Sequence, residues 1–198
     1  MINKSIATIN NSGTNNGAQV AVNYGTINLN LSESKKLPSL ISSIVKSLSS
    51  ACIEIEDYDS VTDLSAFKPD EKIRYNDVIK YKQIIIEHST YFTPCDSIMD
   101  IFDDSNLGSK AKILHCVKNW YQECKGQLLL ELKNYKETDI EKIRNNSDLL
   151  IDSVKAKITD AVYSSCDVGN ISIEEISIGI TCFTCYCFMK CKILEKPQ

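Results

Sequence analysis

The stretch SIEEISIGITCFTCYCFM, residues 172–189, decides the fold. Its middle, ISIGITC at 176–182, alternates like a strand and is rich in β-branched side chains, which suit a pleated surface. Two features oppose that reading. Ser172 followed by Glu175 is a capping-box pattern, in which each side chain satisfies a backbone amide left open in a first helical turn. The uncharged apolar run at 176–189 then continues past the usual length of a strand, yet it is shorter than the roughly 20 residues that span a bilayer. The segment therefore reads as a buried helix of roughly 20 residues, with a strand as the alternative.

The same period runs upstream. From Pro38, the residues Leu40, Ile41, Ile44, Val45, Leu48, Cys52 and Ile55 form one stripe. DYDSVTDLSAFKPD at 57–70 reads as a loop, and a second helix is expected over 71–91 with Ile73, Val78, Tyr81, Ile84 and Ile85 inward. Thr93-Pro94-Cys95-Asp96 reads as an N-cap, a first-position proline and a first-turn acid opening a short helix to Phe102. After the turn at 103–109 comes the clearest stripe, formed by Ile113, Leu114, Val117, Trp120, Tyr121, Cys124 and Leu128. Thr138 and Glu141 form another capping-box pattern, opening a long helix to about Val162 whose inward face is Ile140, Ile143, Leu150, Val154, Ile158 and Val162. The expected class is mainly α: a helical interaction domain of about five to six helices at 35–198, preceded by a short Asn/Gly-rich β ribbon at 1–34.

That ribbon, NNSGTNNGAQVAVNYGTINLN at 10–30, is nearly uncharged and punctuated by Gly13, Gly17 and Gly25 into rungs of about eight residues. A piece of this size buries too little surface to stand alone. It is expected to be completed by other copies of the chain, with Val20, Val22, Tyr24, Ile27, Leu29 and Leu31 as the oligomerisation residues. A polar tail, or strands packed back on the chain's own helices, are the alternatives.

The chain has 198 residues, a net charge of −4 and a pI near 5.3, values that argue against direct binding of nucleic acid or an anionic membrane. Lys110, Lys112 and Lys118 read as a solvated helix face. The first residues, MINKSIATIN, carry no apolar core of signal-peptide length, so a cytoplasmic location is expected and the nine cysteines read as reduced thiols. Cys182, Cys185, Cys187 and Cys191 are the only weak candidates for a metal. A Cys-x-x-Cys pair is half of a zinc site, but these cysteines stand among Ile, Phe, Tyr and Met, where thiols pack as small hydrophobes. His115 and Cys116 are adjacent on a helix and diverge by about 100°, so they form no nucleophile–base pair. Asp96, Asp100 and Asp103 share a helix face without the oxygen spacing of a calcium loop, and read as solvated. No phosphate-binding loop, dinucleotide fingerprint or hydrolase elbow is present. Neither a catalytic residue nor a cofactor is expected.

Three stretches carry a resemblance: EKIRYNDVIKYKQII from Glu71, GSKAKIL at 108–114, and FMKCKILEKP from Phe188 to Pro197. In this order they resemble the helical C-terminal module of bacterial ABC-three-component systems, the group that includes Lamassu-type antiphage defence, over about residues 38–197. The resemblance implies a docking or oligomerisation piece working beside an ABC or SMC-like ATPase and an effector subunit. The chain departs from the larger effectors in having only the Asn/Gly ribbon ahead of the module, so no catalytic residue carries over. The expected function is a non-enzymatic, self-associating scaffold or coupling component of an antiphage defence complex. A phage- or mobile-element-encoded inhibitor of a host complex, or a cysteine-based metal-binding protein, are the alternatives.

Overall fold

The computed structural model describes residues 38–55, 69–165 and 171–197, and the ribbon residues Val20 to Leu31 lie outside them. The described residues are mainly helical, in the order α1 (Leu40–Ile55), α2 (Pro69–Tyr75), α3 (Lys82–Ser89), α4 (Phe92–Ser105), α5 (Ser109–Glu131), α6 (Asp139–Asn145), α7 (Ser147–Tyr163) and α8 (Ile173–Met189). No strand occurs among them.

The segment at 172–189 is helical. The Ser172 hydroxyl accepts from the Glu175 amide at 3.1 Å, and the Glu175 carboxylate accepts from the Ser172 amide at 2.8 Å. α8 is the central helix: every residue from Cys182 to Phe188 is buried. It packs on α1, α3, α4 and α7, which explains an apolar run with no polar side. The apparent strand alternation at its start has a simpler cause. Ile176 and Ile180 are four apart and face the core, while Ile178 lies on the outer side, 39% exposed. Gly179 meets α1 edge-on, and a Cβ there would overlap the Val45 carbonyl oxygen and crowd Ser49. Buried Ser42 and Ser49 keep the facing side of α1 equally small.

Two expected helices are each broken in two. The helix expected over 71–91 stops at Tyr75, because Asp77 takes a left-handed backbone with φ +52°. The Val78 amide donates back to the Ile73 carbonyl and the Asp77 amide to the Arg74 carbonyl, the paired bonds of a Schellman ending. The helix expected over 138–162 breaks at Asn146, whose side-chain amide donates to the Lys142 carbonyl of α6 while its own carbonyl accepts the first bond of α7. The capping box at Thr138 and Glu141 is present as read. The N-cap at Thr93 is not: α4 begins at Phe92, and Pro94 falls in a first turn whose amides need no helical partner. α4 also runs on to Ser105, past Phe102.

The expected inward faces hold in phase, except that Leu40 at the start of α1 is exposed. Ile41, Ile44, Val45 and Leu48 of α1 are buried, as are Val117, Tyr121 and Leu128 of α5. On α5 the deepest apolar residue of the first turns is Ile113, while Leu114 and Trp120 are half-buried.

Candidate functional site

The most constrained polar arrangement joins α2 to the chain after α8. Lys72 is only 1% exposed, and its ammonium donates to the Phe188 carbonyl and, at 2.7 Å, to the Ile193 carbonyl. It also lies over the Phe188 ring, 4.3 Å from the centroid. These acceptors are available because α8 ends in a second Schellman turn. Cys191 takes φ +54°, the Lys192 amide donates to the Cys187 carbonyl, and the Cys191 amide donates to the Phe188 carbonyl. A further left-handed residue, Leu194 at φ +62°, turns the tail back toward α2.

Four residues on from Lys72, just past the end of α2, Asn76 completes the clasp. It is fully buried; its side-chain amide donates to the Lys72 and Glu195 carbonyls, and its oxygen accepts from the Glu195 amide at 3.0 Å. The Glu195 carboxylate in turn accepts from Tyr121 and Lys125 of α5, both at 2.8 Å. Burial holds the Lys72 amine down at about 8, against the opposing pull of Cys191 and Glu195. Burial also pushes the Tyr121 hydroxyl up, reinforced by its bond to Glu195.

A second cluster centres on Asp96. Its carboxylate accepts from Lys110 (2.8 Å), Tyr186 (2.6 Å) and Lys190 (2.9 Å), and Phe92 stacks on the Tyr186 ring. Desolvation alone would raise the Asp96 carboxyl, but these three donors outweigh it and bring it down to about 2. Lys110 also reaches Asp100, and its backbone amide donates to Asp103 at 2.7 Å. The expected solvated acidic face is therefore corrected at Asp96 and Lys110, which are half-buried and paired with each other. The charge that these acids meet is lysine ammonium.

Among the described residues, no group of three or more His, Cys, Asp or Glu side chains is arranged to hold a metal ion. Cys182, Cys185 and Cys187 are buried within α8, and Cys191 is half-buried in the turn after it. Burial pushes the Cys187 thiol well above the ordinary range. His88 is half-buried with its Nδ1 2.9 Å from the Ile84 carbonyl, and His115 is exposed. An amphipathic groove of about 420 Å³ runs between α5 and α7 past Glu123, Leu128, Leu149 and Lys157. An apolar one of about 320 Å³ is lined by Leu40, Ile113, Cys116, Trp120 and Ala161. Among the described residues, no helix is long and apolar enough to cross a membrane.

Sequence reading assigned no role to Lys72 or Asn76. The signal was there but weak: two polar residues four apart, flanking Ile73 on the inward side of a helix. Lysine is so seldom fully buried that such a position is ordinarily read as solvated.

The chain has no match among protein-family models, curated proteins or solved structures.

Proposed function

We propose that the chain is a non-enzymatic, self-associating scaffold or coupling component of a bacterial antiphage defence complex, similar in role to the helical module of ABC-three-component systems. One observation supports this reading above others. The first and last of the three stretches that carry the resemblance, around Glu71 and after Phe188, meet in space through Lys72, Asn76 and the 188–195 backbone. Contacts of this kind hold the two stretches in one fold, and a stably folded helical surface is what a docking module needs. The polar groups of the clasp are engaged with main-chain partners inside the domain. The outer helix faces and the segment at 10–30 are the proposed surfaces for association; the sequence at 10–30 alternates and carries few charges, a pattern that invites pairing with identical chains.

The test is co-purification. Full-length protein carrying an affinity tag is co-expressed with the genes that flank its own. The proposal predicts stable co-elution with an ABC or SMC-like ATPase through gel filtration. Elution free of every neighbouring gene product contradicts it.

A further inference from the structure

The core holds a pair of thiols placed for a reaction. Cys95 on α4 and Cys182 on α8 are 87 residues apart in sequence, and their sulfurs lie 3.2 Å apart. Both are buried, at 3% and 1% exposure. A disulfide needs its sulfurs at about 2.05 Å, so a movement of little more than 1 Å, shared between two side chains and two helices, closes the gap. We propose that Cys95 and Cys182 form an oxidant-modified dithiol site whose substrate class is a small hydroperoxide.

The reaction balances as follows. One thiol, as its thiolate, attacks the outer oxygen of the hydroperoxide. The O–O bond breaks, leaving a sulfenic acid on the protein and an alcohol, or water when the oxidant is hydrogen peroxide. The second thiolate then attacks the sulfenyl sulfur; the S–S bond forms, the S–O bond breaks, and hydroxide departs as water with the proton released by that thiol. Two thiols lose two electrons and two protons, and the peroxide takes them up.

Two features select this pair and this oxidant. Burial excludes bulky disulfides such as oxidised glutathione, whereas hydrogen peroxide is close to water in size. A sulfenic acid formed at either sulfur is trapped at once, since its resolving thiol is already in contact. The half-buried Cys116 and Cys124, by contrast, are open to larger reagents. The bond would tie α4 to the central helix across a long loop, and in a reducing compartment it would be transient and responsive to oxidant.

The experiment treats folded full-length protein with excess hydrogen peroxide or, separately, with oxidised glutathione. Each sample is quenched with an alkylating agent and digested without reductant for mass spectrometry. The peroxide sample is expected to yield a peptide joining Cys95 to Cys182, two hydrogens lighter than the separate peptides and lost on reduction. The glutathione sample is expected to lack it. The oxidised protein should melt about 5 °C higher than the reduced form, because a long loop is closed. Cys182→Ala should abolish that rise. Recovery of Cys95 and Cys182 unlinked after peroxide, or linked only to other cysteines, overturns the proposal. So does a melting shift that survives in Cys182→Ala. Should that variant fail to fold, the peptide map of the unaltered protein decides alone.

Discussion

A lysine sealed from water is the residue on which this domain closes. The Lys72 ammonium gives up most of its hydration and receives two carbonyls, the Phe188 ring and the nearby Glu195 charge in exchange. The balance falls short of water, since the amine sits at about 8 instead of its ordinary 10.5. Linkage gives the sign. Between those values the unfolded chain binds a proton at this position that the folded chain has released, so stability rises as pH rises through the window. Below about pH 8 both states are charged and the full burial cost is present. The raised thiols of Cys116, Cys124 and Cys187 act oppositely from about pH 8.5 upward, where unfolded cysteine ionises, and the raised hydroxyls of Tyr81, Tyr121 and Tyr186 do so above about pH 10. In urea unfolding between about pH 8 and 9.5, the slope of stability against pH is therefore expected to be more positive in the unaltered chain than in Lys72→Met. An unchanged slope in Lys72→Met would place the titrating group elsewhere.

Helix pairs set the next scale, and here the contact of α1 with α8 governs. Ridges of large side chains normally keep helix axes 8–10 Å apart. Gly179, Ser42 and Ser49 remove the ridge where these two helices meet, and the Val45 carbonyl occupies the space a side chain would need. Gly179→Ala gains about 1 kcal/mol of helix propensity but forces the α1 backbone away, so a net loss of about 1–3 kcal/mol is expected. Gly126 on α5 is the matched control. Nothing lies within 4 Å of a Cβ built there, so Gly126→Ala should stabilise by about 0.5–1 kcal/mol. Thermal melts of the two variants should move in opposite directions; a common direction would refute the close α1–α8 contact.

The same scale shows what the sequence made legible. Periodicity located the inward faces of α1, α5 and α7, and the capping boxes at Thr138 and Ser172 marked two helix starts, because both signals are local. The breaks at Asp77 and Asn146 were hidden. Each is made by a residue common on helix surfaces, and only its backbone angles and the Schellman or Asn146 bonds distinguish a stop from a continuation. The clasp was hidden for a different reason. Lys72 and Asn76 find their partners more than 100 residues away, on carbonyls exposed by the left-handed turns at Cys191 and Leu194. Main-chain acceptors leave no mark in side-chain patterning. Asp96 was read as one acid among several, since its three donors come from α5, α8 and the residue after α8.

For the whole molecule, the account assigns folding and association to different segments. The stripes of α1 to α8 bury one another among the described residues, and the clasp closes α2 onto the final turn, so the helical domain has its own core. Under the proposed function, association belongs to the sequence at 10–30, where Val20, Val22, Ile27, Leu29 and Leu31 alternate and the asparagines suit ladders between identical chains. The most direct test compares full-length protein with a chain lacking residues 1–34, using light scattering during gel filtration alongside circular dichroism. The account predicts that the shortened chain keeps its helical spectrum and cooperative melt while its mass falls to a smaller oligomer or a monomer. A shortened chain that keeps the subunit number of the full-length protein would contradict it, and would move the association surface onto the helices.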